Sequence, residues 1–233
     1  MHPSSLTNMW KARRHTGVTL GRAIRILDVG GRGLSADDDR SYRSVFHDIA
    51  KEYCVADITA GHGVTHVMPC PYTLPFPDNH FDLIVSGQTL EHVKNPFRSV
   101  AEMMRALKPG GHIILTAPST GPRHDVIDCW RFMDDAFMAI AEESNIKVIG
   151  DWIDFTAPDR RSRKWADHFF VGQKPDPPPS TIADNETWFA INRERLATER
   201  AKAKTRWRIK QGVVYLVAMV LVFCLGLLIG VTF

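Results

Sequence analysis

Short apolar runs alternate with segments of helical periodicity through residues 20–174. The apolar runs predict strands at 24–29, 53–58, 65–68, 81–86, 112–117, 146–154 and 168–173. Apolar side chains at helical spacing predict helices over 96–107 and 134–144, the first beginning at Asn95-Pro96 and stopped by Pro109-Gly110-Gly111. Because strands alternate with helices, the pattern predicts an α/β, Rossmann-like doubly wound fold with a seven-stranded, mostly parallel sheet.

The C-terminal residues 213–233 carry no charged side chain. As a helix this segment would be about 31 Å long, close to the hydrocarbon thickness of a bilayer. A helix that is apolar on every face must lie in lipid or in a large core. We therefore predict a transmembrane tail anchor over 212–233, and the alternative is a buried C-terminal helix of the globular core.

The net charge is distributed unevenly along the chain, and this distribution bears on membrane orientation. The net charge is +3, but residues 193–210 hold eight basic and two acidic side chains, which leaves residues 1–192 at −3. A basic block directly before an apolar span predicts that this end, and the globular part with it, faces the cytoplasm. Nucleic-acid binding by the same block is the weaker alternative, so no nucleic-acid partner is expected.

Composition completes the predicted organisation. We expect a polar N-terminal segment (1–19), a main domain (20–174), a proline-rich linker (175–186), a basic juxtamembrane helix (187–211) and the tail anchor (212–233). No secretory signal peptide is apparent at the N-terminus. The four cysteines have no C-x-x-C spacing, so neither a zinc motif nor a disulfide framework is expected, and no metal ligand is assigned.

A glycine-rich turn follows the first strand, at Gly30, Gly31 and Gly33. Such a turn lets the backbone approach a ligand closely and presents N–H groups to it. Asp57 ends the second predicted strand, where a carboxylate can accept hydrogen bonds from both hydroxyls of a ribose. These features suit a nicotinamide dinucleotide and S-adenosylmethionine equally, and do not separate the two.

Four motifs in order separate them: ILDVGGRG (26–33), VADI (55–58), LPFPDNHFDLIVSGQTLEHV (74–93) and EMMRALKPGGHIILTAPS (102–119). Together they resemble the class I S-adenosylmethionine-dependent methyltransferases, in particular the type 11 group. The resemblance covers about 24–174. It implies that the protein is a methyltransferase whose cofactor is S-adenosyl-L-methionine.

The resemblance also implies roles for residues at matching positions. Asp28, Gly30, Gly31 and Gly33 would form the turn under the methionine part of the cofactor. Asp57 would bind the ribose, Ile58 and Leu74 would lie near the adenine, and Ser86 and Gln88 would face the sulfonium. The family's alternating glycines would fall at 32 and 34, where this chain has Arg32 and Leu34.

The acceptor is less well defined by sequence. If it is a hydroxyl of a glycan, lipid, quinone or other small molecule, a general base helps to remove the proton, and His92 and His124 are the candidates. A structural role is the alternative for each histidine. A catalytically idle domain of the same fold, acting as a membrane-anchored binding or scaffold module, is the alternative function.

Overall fold

The computed structural model describes residues 3–18, 23–33, 41–157 and 160–176, and six further residues between 193 and 205. The chain divides into two compact units, Met1–Glu186 and Thr187–Phe233, and the account below concerns the first. No helix among the described residues has both the length and the apolar character needed to cross a membrane. The predicted tail anchor at 212–233 and nearly all of the predicted basic helix at 187–211 lie outside the described residues.

The first unit is built on a single seven-stranded sheet. Its strands are β1 (Ile24–Val29), β2 (Ala50–Asp57), β3 (His66–Val67), β4 (Phe81–Gly87), β5 (Leu107–Pro118), β6 (Lys147–Ile153) and β7 (Asp167–Gln173). Their order is β3-β2-β1-β4-β5-β7-β6. Only β7 runs against its neighbours, since it pairs antiparallel with both β5 and β6. The predicted Rossmann-like fold with a mostly parallel sheet is confirmed.

The helices are α1 (Pro3–His15), α2 (Arg43–Phe46), α3 (Pro96–Ala106), α4 (Ala136–Glu143) and α5 (Arg160–Trp165), with a 3-10 turn at Leu90–His92. Helix α3 begins as its sequence predicts: Pro96 occupies the first turn and the Asn95 side chain accepts a hydrogen bond from the Arg98 N–H at 3.1 Å. Its buried face includes Val100 and Met103, which pack toward the sheet side of the helix.

The central strands are buried on both faces and form the core. Ile26, Leu83, Val85 and Ile114 are fully buried in one apolar cluster, which includes Phe46 of α2. Continuous apolar strands of this kind are typical of a parallel sheet covered by helices on both sides. This explains why the apolar runs of β1 and β4 could be recognised in the sequence.

Helix α1 was not predicted, because residues 1–19 are polar overall. The helix nevertheless buries Met9 and Ala12 completely in the core cluster. Burying a methionine of this kind contributes about 1.5–3 kcal/mol. Arg13 fastens the helix with two hydrogen bonds to the Asp48 carboxylate, at 2.6 and 2.8 Å. The N-terminal segment is therefore part of the same compact unit as the sheet.

The order of the sheet fixes where a ligand can bind. From β1 the chain proceeds outward through β2 and β3, and then returns to place β4 on the other side of β1. The carboxyl ends of β1, β2 and β4 share one edge of the sheet because these strands are parallel. The crevice between the ends of β1 and β4, where the strand order reverses, is the usual ligand site of such folds.

Candidate functional site

A cavity of about 440 Å³ opens at this edge of the sheet. Five of the residues predicted from sequence line it: Gly30, Asp57, Ile58, Gln88 and His92. They come from the ends of three strands and from the 3-10 turn after β4. The cavity has the size of an ordinary small-molecule site.

The turn after β1 depends on glycine at its first two positions. Gly30 has φ +79°, and a Cβ there would lie 2.1 Å from the Thr89 hydroxyl oxygen. A Cβ at Gly31 would lie 2.5 Å from the Asp28 carboxyl group. Both positions therefore need glycine, since any larger residue would displace these side chains. The turn passes close to the strand end after β4 and leaves its backbone open toward the cavity.

Asp28 lies beneath the turn and not on the cavity surface. It is 1% exposed, and its Oδ2 accepts a hydrogen bond from the Tyr53 hydroxyl at 2.9 Å. Its Oδ1 has no hydrogen-bond partner among the described residues. Burial raises the pKa of the Asp28 carboxyl to about 7, against the lowering effects of the Tyr53 hydroxyl and the Arg43 charge. Asp28 supports the turn from below.

Asp57 and Ile58 present a carboxylate and an apolar surface at the end of β2. One Asp57 oxygen accepts a hydrogen bond from the Thr59 N–H at 2.9 Å, which fixes the orientation of the carboxylate. Ile58 is 54% exposed and lines the same cavity. An acceptor pair for hydroxyl groups beside an exposed apolar surface fits the ribose and base of a nucleoside.

Ser86 lies on β4, Gln88 comes directly after the end of that strand, and the two differ in role. Gln88 lines the cavity with φ +58°, a conformation that is uncommon for residues other than glycine, and its Nε2 is buried without a hydrogen-bond partner among the described residues. Strained backbone of this kind is concentrated at functional sites. Ser86 is fully buried and donates a hydrogen bond to the Val29 carbonyl at 2.9 Å, so it joins β4 to β1.

Three other predicted residues lie away from this cavity. Leu74 is buried, and its N–H donates to Glu102 at 2.8 Å. Gly31 and Gly33 line a neighbouring hollow of about 470 Å³. Gly33 also pairs with His62, whose carbonyl accepts its N–H at 3.0 Å. The structure therefore groups Gly30, Asp57, Ile58 and Gln88 around the cavity.

The loop after β5 folds back over the 3-10 turn. The Cys129 N–H donates to the Glu91 carbonyl at 2.7 Å, and the Trp130 indole N–H donates to the Val93 carbonyl at 2.9 Å. This contact brings His124 next to His92, with the two ring centroids 5.0 Å apart. His92 lines the cavity, whereas His124 lies behind it on the loop.

Charged side chains hold this loop in place. Arg131 makes two hydrogen bonds to the Asp128 carboxylate, at 2.6 and 2.8 Å, and this guanidinium holds the Asp128 pKa well below its usual range. Asp128 in turn accepts hydrogen bonds from the backbone N–H of His124 at 2.9 Å and from its Nδ1 at 3.1 Å. Glu91 is fully buried beside this group, and burial raises the pKa of its carboxyl to about 8.

Three residues of this loop that line the cavity were not assigned to the site from the sequence. Asp125, Val126 and Ile127 line it together with Asp57 and Thr89. Residues 125–127 are exposed loop positions without periodicity, so periodicity gives no signal for them. The loop is placed by its hydrogen bonds to the 3-10 turn, which are visible only in the folded chain.

The fold and the cavity define an α/β protein with a small-molecule-sized cavity where the strand order reverses. Residues 27–115 match the family model described as a methyltransferase domain. This match covers less than half of the chain and agrees with the resemblance that the four sequence motifs indicate.

Two relatives that the chain resembles are also named as methyltransferases. The chain is 31% identical over 112 residues to the ubiquinone/menaquinone biosynthesis C-methyltransferase UbiE of Shewanella pealeana, covering 48% of this chain and 42% of that protein. It is 32% identical over 114 residues to an uncharacterized methyltransferase of Mycobacterium avium, covering 47% and 44%. The matched segment thus spans less than half the length of either relative.

A solved structure has the same fold. The S-adenosylmethionine-dependent methyltransferase of Mesorhizobium loti superimposes with a TM-score of 0.51 at 16% identity, over 70% of this chain and 96% of that one. The cofactor implied by the family is S-adenosylmethionine. The residues present fit it, because an oriented carboxylate, an exposed apolar side chain and a close-approach glycine turn surround one cavity.

Proposed function

We propose that this protein is an S-adenosylmethionine-dependent methyltransferase that acts on an acceptor with an apolar body. The observation that carries the proposal is the grouping of Gly30, Asp57, Ile58 and Gln88 around one cavity at the reversal of strand order. The match of residues 27–115 to the methyltransferase domain supports the choice of cofactor over a dinucleotide.

When bound, S-adenosylmethionine supplies an electrophilic methyl group on a sulfonium, with a good leaving group already attached. The protein's contribution is then mainly to position the acceptor in line with that methyl. Asp57 would accept hydrogen bonds from the ribose hydroxyls, and Ile58 would pack against the base. The glycine turn lets the remainder of the cofactor approach the backbone, and the buried Nε2 of Gln88 offers a donor at the cavity wall.

The loop side of the cavity supports an apolar acceptor. Val126 is 83% exposed, Ile127 51% and Trp130 44%, so the loop presents apolar side chains to an incoming molecule. The Shewanella pealeana relative is named for ubiquinone and menaquinone biosynthesis, which agrees with an aromatic, apolar acceptor such as a quinone precursor. When the phenolic hydroxyl of such an acceptor is deprotonated, both its oxygen and the neighbouring ring carbon become nucleophilic.

We further propose that the enzyme is tethered to the cytoplasmic face of a membrane by residues 212–233. The support is the charge-free apolar segment and the basic block before it. A tether would raise the effective concentration of the enzyme around apolar acceptors dissolved in the bilayer. Fractionation of cells expressing the full chain, with and without 212–233, tests this part separately.

Calorimetric titration of the full-length chain with S-adenosylmethionine tests the cofactor assignment. Asp57→Ala should weaken binding roughly 10- to 100-fold, because hydrogen bonds to a charged acceptor contribute about 1.5–3 kcal/mol. The affinity of Asp57→Asn, which keeps a neutral acceptor, should lie between those of the wild type and Asp57→Ala. Asp176→Ala, at an exposed position, is the matched control.

No heat of binding at millimolar cofactor would exclude the proposal. Binding without methyl transfer to any membrane extract would instead favour a binding or scaffold module of the same fold.

A further inference from the structure

Three potential metal ligands converge beside the cavity: Glu91, His92 and His124. One ligand atom of each lies within 4.8 Å of those of the other two. Glu91 and His92 are neighbours in the 3-10 turn, and their Oε1 and Nε2 atoms are 3.7 Å apart. His124 reaches them from a loop more than thirty residues later, so tertiary folding builds the cluster.

Both histidines have one ring nitrogen already held by an oxygen acceptor. The Nδ1 of His92 lies 2.5 Å from the Ile127 carbonyl oxygen, and the Nδ1 of His124 lies 3.1 Å from Oδ2 of Asp128. A carbonyl or carboxylate acceptor keeps the proton on Nδ1 and leaves the Nε2 lone pair free. Imidazoles oriented in this way by a second partner are characteristic of metal-binding histidines.

Glu91 is the third residue of the cluster. Its side chain is 0% exposed, and neither carboxylate oxygen receives a hydrogen bond from another described residue. Burying a carboxylate without donors is costly, and such groups are normally paired or coordinate a metal. A bound cation would remove this cost.

We propose that Glu91, His92 and His124 bind a divalent first-row transition metal ion, with Zn²⁺ as the best match to the ligands. Two imidazoles and one carboxylate form a set known from catalytic zinc sites, which keep a further position open. Imidazole ligands disfavour Mg²⁺ and Ca²⁺, which prefer oxygen. Bonds of about 2.1 Å would bring the ligand atoms to about 3.4 Å apart, which requires the cluster to tighten slightly.

The position of the proposed ion beside the cavity suggests a catalytic role, and this role rests on the proposed methyl transfer. His92 also lines the cavity, so the open coordination position would border the acceptor. A hydroxyl of the acceptor bound there would lose its proton to water, because a metal ion lowers the pKa of a bound hydroxyl. The resulting oxygen or ring carbon attacks the methyl carbon, the carbon–sulfur bond breaks, and S-adenosylhomocysteine leaves with the electron pair.

The test uses metal alone, with the metal-depleted full-length chain. We expect one equivalent of Zn²⁺ to bind by calorimetry, and Co²⁺ to give visible d–d absorption that Zn²⁺ abolishes. Glu91→Gln and His124→Ala should each weaken Zn²⁺ binding at least 100-fold, and Asp128→Asn about 10- to 100-fold through the orientation of His124. The exposed His47→Ala, far along the chain from the cluster, is the matched control and should bind as the wild type does.

Thermal unfolding without metal separates a ligand from a structural residue. Glu91→Gln should unfold at the same or a higher temperature than the wild type, because it removes an unpaired buried carboxylate. Absence of Zn²⁺ binding by the wild type, or equal binding by all variants, would overturn the proposal. S-adenosylmethionine binding is measured on the same samples, so failure of the metal site and failure of the proposed function are distinguished.

Discussion

Asp28 makes the stability of the cofactor-free protein depend on pH. The carboxyl is 1% exposed, and burial raises its pKa from 3.8 to about 7. Below pH 3.8 the group is protonated in the folded and the unfolded chain, and its full stabilising contribution is present. As pH rises toward 7, only the unfolded chain releases the proton, so the folded state loses stability.

The magnitude follows from the pKa difference. Each pKa unit corresponds to about 1.36 kcal/mol, so the wild type should lose about 4 kcal/mol from this group between pH 4 and pH 8. Asp28→Asn does not titrate and escapes the loss. The free energy of unfolding of the variant, relative to the wild type, should therefore rise by that amount over the same pH range.

Urea unfolding of both full-length proteins in one detergent, without cofactor, at pH 4, 6 and 8 measures this difference. The exposed Asp176→Asn serves as the control and should show no pH-dependent difference from the wild type. Tyr53→Phe should extend the loss to higher pH and enlarge it, because the Tyr53 hydroxyl lowers the folded-state pKa of Asp28 by its hydrogen bond. A difference between Asp28→Asn and wild type that stays constant with pH would refute the reasoning.

Two further results are expected. Gly30→Ala should destabilise the protein by more than about 1 kcal/mol and weaken cofactor binding, because φ at this position is +79° and the new Cβ would collide with Thr89. Thermal unfolding measures the stability and calorimetry the cofactor affinity. An unchanged melting temperature would contradict the turn geometry. Deleting 212–233 should release the protein from the membrane fraction while calorimetry shows S-adenosylmethionine affinity unchanged; loss of folding on deletion would instead favour a core helix.

Much of the fold followed from local pattern. The strand at Ile24–Val29 and the start of α3 at Asn95-Pro96 appear where the sequence predicts them, because buried parallel strands and helix caps leave local signals. Strand β2 begins earlier than predicted, at Ala50, since its first residues are partly exposed and polar. Helix α1 left too weak an apolar stripe to be recognised, and packing of Met9 decides its place.

Some residues of the candidate site could likewise be recognised from the sequence, and others could not. The turn at Gly30 and the carboxylate of Asp57 were predictable, because strand ends with glycine and aspartate have a defined use in this fold. The position of Ser86 in a family motif predicted contact with the cofactor. In the structure its hydroxyl donates a hydrogen bond to the Val29 carbonyl, a contact that the motif did not indicate.

The sequence by itself determined the order of the seven strands, the positions of α3 and α4, and the cofactor class. These depend on near-neighbour periodicity and on motifs whose residues are close together in the chain. The tertiary structure alone decided that His124 lies against His92, and that Glu91 is buried beside them without a hydrogen bond from any other described residue. The loop that brings them together is held by long-range hydrogen bonds, and no local pattern encodes a contact between residues more than thirty positions apart.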